Sequence, residues 1–208
     1  MFQRIFAENI IFMKKITMLA STLFLMTGLI AQTNWKVDNS HSKLGFSVVH
    51  MMVSETDGKF RLYDGKVTSK TETDFNGATV EFSVDVSSIN TEDEKRDGHL
   101  KSEDFFNAAK YPKMVFKSTS MKAGKTKGTY VIEGDLTIKD VTKKVQLTAT
   151  TSGKVVKDPY GLTRTGFKVT GKINRVEFGL KWNAVLEAGG VAVSEEVTLE
   201  CNIELIKS

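Results

Sequence analysis

The 208-residue chain contains one cysteine, two prolines and three histidines. A lone thiol, Cys201, closes no intramolecular disulfide and builds no Cys-rich zinc site. The histidines lack the His-Glu-x-x-His spacing of a metalloprotease helix. Also missing are a Gly-x-Ser-x-Gly nucleophile elbow, a phosphate-cradling glycine loop and a Gly-x-Gly-x-x-Gly dinucleotide fingerprint. Net charge is small, with 29 Lys and Arg against 25 Asp and Glu. No basic cluster has the density that nucleic acid demands, so nucleic-acid partners are excluded. A composition of 40% hydrophobic and 26% charged residues is globular and excludes a disordered chain. What stands in excess is phenylalanine, thirteen in all.

Long apolar runs are confined to the N-terminus. Met13-Lys14-Lys15 precedes a mostly apolar stretch from Ile16 to Ile30, followed by Ala31-Gln32. A positive start, an apolar run and a small residue at its end have the layout of a secretory signal peptide. The run is shorter than the ~20 residues a membrane-spanning helix needs. Residues 1–31 are therefore expected to be a removable leader, with 1–12 an over-extended start ahead of Met13. An uncleaved anchor is the alternative. Removing 1–31 takes away Arg4, Lys14, Lys15 and Glu8, and the net charge falls from +4 to +2. The expected location is periplasmic or secreted, where a single thiol has no partner to oxidise with. Residues 32–208 are expected to form one domain without a permanent membrane anchor.

From Trp35 onward the pattern has period two. Val80, Phe82, Val84 and Val86 alternate with polar residues, as do Val197, Leu199, Cys201, Ile203 and Leu205. Leu44-Phe46-Val48, Val145-Leu147-Ala149 and Phe167-Val169-Gly171-Ile173 repeat it. Alternation of this kind marks antiparallel strands with one dry face. Lys59 to Val67, Lys113 to Thr119 and Thr129 to Ile138 add further strands, for about eight or nine in total. Turns are expected at Asp57-Gly58, Asp64-Gly65, Asn76-Gly77, Ala123-Gly124, Asp158-Pro159-Tyr160-Gly161 and Gly189-Gly190. Thr91 to Ala109 breaks the alternation and suits one or two short helices, ended by Tyr111-Pro112. One-faced strands must either sandwich or close into a barrel, and periodicity alone leaves both open. Glycines within strands (Gly45, Gly134, Gly166, Gly171) would aid bending or free interior volume.

Certain blocks carry a resemblance. Asp38-x-x-His41-Ser42-x-Leu44-x-Phe46-x-Val48-x-His50 with Gly58-x-Phe60 and Gly65 resembles the opening of the YceI-like family of exported lipid-binding proteins. So do Arg96-Asp97-x-His99-Leu100-x-Ser102-x-Asp104-Phe105-Phe106, Tyr111-Pro112 and Phe116, and later Ile173-Asn174-Arg175-x-x-Phe178-Gly179-Leu180. The resemblance implies an all-β fold, a lipocalin-like extended antiparallel barrel of about eight strands with one or two short helices. It also implies a polyisoprenoid, isoprenoid quinone or similar long-chain amphiphile in the interior, held for transport or storage. Two positions depart from the family pattern, Asp140 for glycine and Lys144 for proline, both in an expected hairpin turn.

A prenyl chain offers only hydrocarbon, so its attraction follows buried area without direction. At ~0.8 kcal/mol per carbon a few five-carbon units would exceed the ~20 kcal/mol at which affinities saturate. Frozen torsions and association entropy must offset much of it, which favours tolerance of chain length. Phenylalanine suits such a wall because it offers rigid area and no hydrogen-bonding atom. The expected lining is Phe46, Val48, Phe60, Phe82, Val84, Phe105, Phe106, Phe116, Leu136, Phe167 and Trp182. Core packing is the alternative for each taken singly.

His41, His50, Arg96, His99 and Arg175 are candidates for a head group or a barrel end. The histidines could hydrogen-bond backbone or Asp97, and Arg96 could pair with Asp97. Arg175 could close the barrel through hydrogen bonds or a cation–π contact. Glu92-Asp93-Glu94 reads as a solvated charge run, and Cys201 as a small hydrophobe. No catalytic residue, metal or cofactor is assigned, the bound lipid being the only expected ligand. Alternatives from other classes are a metal-dependent envelope enzyme using the three histidines and an interaction module with a filled core. Association into a homodimer stays open.

Overall fold

The computed structural model describes residues 32–186 and 189–208. The expected leader and the alternative anchor at 1–31 lie outside the described residues. Twelve strands follow one another as β1 (Thr33–Val37), β2 (Lys43–His50), β3 (Ser54–Phe60), β4 (Tyr63–Ser69), β5 (Thr79–Asp85), β6 (Ile89–Asn90), β7 (Lys113–Ala123), β8 (Thr129–Ile138), β9 (Val141–Thr150), β10 (Val155–Lys157), β11 (Thr163–Asn174) and β12 (Val193–Lys207). One α-helix, α1 (Glu94–Lys101), lies between β6 and β7.

All pairings are antiparallel, and the order along the sheet ends where β11 pairs with β12. That pairing runs from Arg164↔Ile206 to Asn174↔Glu196 and closes the sheet on itself. The other edge of β12 holds β2 over Val193–Asn202 and β1 over Leu205–Lys207. Bends at residues 38–42, 61–62 and 86–88 divide three long strands, so β1/β2, β3/β4 and β5/β6 each form one stave. With β7, β8, β9, β11 and β12 this gives a closed eight-stranded barrel, and β10 rides on β11. Closure pairs the backbone groups that an open sheet would leave at its edges, and it settles the barrel over the sandwich.

Several local expectations are corrected. Asp57-Gly58 and Asp64-Gly65 are not turns but lie within β3 and β4. Their glycines face inward where aromatic rings need the space, Gly58 under Phe46 and Gly65 beside Phe82. Lys59 to Val67 is not a single strand, because the chain bends at Arg61-Leu62. The actual turn between β2 and β3 is at Met51-Met52. One helix forms in the 91–109 interval, within the expected one or two, but it ends early. Asp93 caps it, accepting from the Arg96 amide at 3.0 Å, and Ser102 ends it well before Pro112. Asp140 is in the β8–β9 turn, whereas Lys144 is in β9, paired with Asp135 at 3.2 Å.

One end of the barrel is plugged. The segment between β4 and β5 folds over it, held by Gly77 N–H donating to Met121 O (2.7 Å) and Ala123 N–H donating to the Asn76 side chain (3.1 Å). This lays Phe75 across the opening, 4.8 Å from the Phe167 ring and 5.8 Å from Trp35. Trp35 is fully buried beneath, its indole N–H donating to Ser69 Oγ at 2.9 Å.

Candidate functional site

The dry faces of the strands do not meet in the middle. They enclose a cavity of about 580 Å³, within the usual range for small-molecule sites. Its wall follows the alternation, since successive side chains of a strand point to opposite faces. A continuous row of register partners, Gly65, Phe82, Phe116 and Leu136, crosses β4, β5, β7 and β8. On the facing side Phe46 packs on Phe60 at 5.7 Å, and Phe60 meets the edge of Phe106 at 6.1 Å. Val48 and Val84 complete the wall nearer the mouth, and Phe167 lies at the plugged end. All eleven apolar candidates border this one cavity.

The mouth lies at the end opposite Phe75, where α1, the Phe105-Phe106 loop, Leu180, Trp182 and Ala192 converge. Phe105, Trp182 and His99 form a mutually touching group, with centroids 4.9 to 5.3 Å apart. His99 bonds Asp104 (3.2 Å), not Asp97. His50 and Arg96 also border the mouth. Arg96 does not pair with Asp97 either. Both hold Thr91: Asp97 accepts from its amide (2.8 Å) and hydroxyl (2.6 Å), and Arg96 donates to its hydroxyl and carbonyl, each at 2.8 Å. The lead-in to α1 is thereby fixed.

Arg175 is 3% exposed, and its guanidinium donates to the carbonyls of Ser194 (2.9 Å), Leu180, Trp182 (2.9 Å) and Val193 (3.2 Å). The Phe105 ring centre is 6.0 Å away. Burial pushes the guanidinium pKa down, against an opposing field from Glu195. Hydrogen bonding, more than the cation–π contact, holds the mouth segment in place.

His41 is misplaced by the sequence reading. It lies outside the barrel at the β1–β2 bend, bonded to Asp38 at 2.8 Å. Asp38, His41 and Glu204 are close enough to suggest a cation site, but Arg164 already stands there, 2.5 Å from Asp38 and 2.6 Å from Glu204. Among the described residues the three histidines do not converge, since His50 and His99 border the cavity and His41 does not.

Cys201 points into the cavity wall, and burial raises its thiol pKa to about 11. Sequence reasoning missed Phe75, which lies in a loop without periodicity, and Met121, whose odd position breaks the even parity of Met114 and Phe116. A register shift between Ser118 and Ser120 in β7 causes that change of face. The missed Val80 shares the face of Phe82 and Val84 on β5, and Leu147 and Leu199 stand on alternating runs already visible in the sequence.

A closed antiparallel barrel with a dry, deep and one-ended interior defines a class of small-molecule-binding β-barrels. The YceI-like domain family matches residues 35–205, and the chain belongs to that family. It is 38% identical over 173 residues to a UPF0312 protein of Staphylococcus aureus (strain USA300), covering 83% of this chain and 96% of that one. A Campylobacter jejuni YceI protein superposes with a TM-score of 0.65 at 28% identity, over 82% of this chain and 96% of that structure. A polyisoprenoid binding domain from Saccharophagus degradans shares the fold with a TM-score of 0.58 at 16% identity, over 84% and 98%.

Proposed function

We propose that the chain is a carrier that holds a long-chain isoprenoid or similar amphiphile in the barrel, without altering it chemically. The observation that carries this reading is the polarity gradient of a single cavity. Phe75 and Phe167 close one end, whereas Thr91, Lys95, Arg96 and His99 border the other. An apolar tail gains by filling the deep end, and a polar head left at the mouth keeps its hydration. The naming of the S. degradans domain as polyisoprenoid-binding supports the same ligand class. The leader-like residues 1–31 support an exported carrier, working in the periplasm or medium.

Organic extraction and mass spectrometry of the purified protein test this. A stoichiometric amphiphile with an extended hydrocarbon chain is the expected result. Protein that is repeatedly isolated empty and takes up no added polyprenol overturns it.

A further inference from the structure

Six of the large hydrophobic side chains exposed on the barrel belong to two adjoining tips: Val49, Met51, Met52 and Val53 on one, Val185 and Val191 on the other. Val53 is 83% exposed, Val185 87% and Met52 62%. The tips are joined, since Met51 N–H donates to Ala192 O at 2.8 Å and the Met52 side chain packs over Gly190. Both lead directly into the mouth. Val48 and His50 flank the first tip, Ala192 and Val193 the second, and all four border the cavity.

The β2–β3 turn is costly for this sequence. Val53 N–H donates to His50 O at 3.1 Å, with Met51 at φ 51° and Met52 at φ 61° between them. Two successive left-handed residues make a type I′ turn, a conformation that Asn-Gly adopts readily and methionine does not. Asp-Gly pairs are used elsewhere in this chain, inside β3 and β4. At the tip, two large apolar side chains are held out in a conformation that resists them. Such an outlier points to function.

We propose that these tips dock the mouth of the barrel on a lipid bilayer, inserting their side chains into the interface while ligand passes between membrane and cavity. The proposal rests on the carrier reading for its purpose. Part of the tips' backbone is already paired: Val49 N–H donates to Ser194 Oγ (3.1 Å), Leu186 N–H to Gly190 O (3.2 Å) and Ala192 N–H to Ala184 O (2.9 Å). Groups already bonded lose little on entering an apolar layer. Residues 49–53 include no Asp, Glu, Lys or Arg, and 182–194 include only Glu187. A hydrocarbon chain leaving the mouth here would slide along apolar side chains and never expose its full area to water. Among the described residues no helix is long and apolar enough to cross a membrane, so docking of this kind is peripheral.

The test compares wild type with the M51N/M52G double variant, both purified from cells that export them. Vesicles of phosphatidylethanolamine and phosphatidylglycerol are used for flotation, and the same vesicles loaded with a fluorescent polyprenol for transfer. Asn-Gly suits the turn, so the variant should melt at or above the wild-type temperature. Its vesicle binding and transfer rate should nevertheless fall about tenfold. Val53→Ser, which leaves the turn alone, should weaken both by a smaller factor. Equal binding and transfer by wild type and both variants overturns the proposal. So does a wild-type dimer that the double variant dissolves, because the tips would then cover a second copy. Polyprenol uptake from detergent keeps the two readings apart. Vesicle binding without uptake by either protein keeps the docking face and removes the carrier.

Discussion

The ring of Phe46 covers Gly58, its register partner on β3, so closely that no Cβ fits between them. A hydrophobic wall with this much ring area needs a partner without a side chain. Gly58→Ala should push the Phe46 ring into the cavity. Overpacking of this kind costs about 1–3 kcal/mol. Chemical denaturation should show that loss, and the extracted ligand should become shorter or scarcer. Restoring volume with Phe46→Leu in the same chain should recover part of both.

Arg175 joins the carbonyls of Leu180 and Trp182 to those of Val193 and Ser194 at the start of β12. Lysine has three donors on one atom and cannot match the planar fork. Arg175→Lys should therefore lose at least about 2 kcal/mol, and Arg175→Met more, since buried carbonyls are left without donors. Hydrogen exchange should quicken in residues 180–186 first, ahead of β7–β9.

Asp38 accepts hydrogen bonds from Ser40, Arg164 and His41, which together hold its carboxyl well below the usual carboxylate range. A carboxylate whose folded pKa is depressed adds stability above its ordinary value near ~4 and loses it as pH falls further. Melting temperature should accordingly decline below about pH 4 and keep declining with acid. Asp38→Asn should be less stable at neutral pH, with a flatter acid limb.

Burial raises the Cys201 thiol pKa to about 11, so the group stays protonated well into the alkaline range. An ordinary thiol near 9 carries roughly 100-fold more thiolate at mildly alkaline pH. Iodoacetamide at mildly alkaline pH should alkylate the native protein at least that much more slowly than the unfolded chain. The raised folded pKa also means that this site's contribution is present below about pH 9 and is lost as pH rises through 11.

Much of the wall was legible in order of residues alone. Alternation is a property of neighbours, so Val80-Phe82-Val84 and Val197 to Leu205 declare their common face without any knowledge of the fold. The YceI-like blocks added the barrel and a ligand class. Other features were not local. Whether Asp-Gly turns or runs straight depended on Phe46 and Phe82 from neighbouring strands, and Met121 faces inward only because a bulge precedes it. His41 and His99 look equivalent in sequence, yet a bend at residues 38–42 takes the first outside the barrel.

Within an unbroken strand, period-two patterning by itself determined which side chains would be dry, because the backbone pleat assigns alternate faces. That those faces surround a space, and do not fill it, was decided by β11 meeting β12 and by Phe75 settling over one end. Both contacts join residues far apart in the chain, and only the folded backbone brings them within reach of one another.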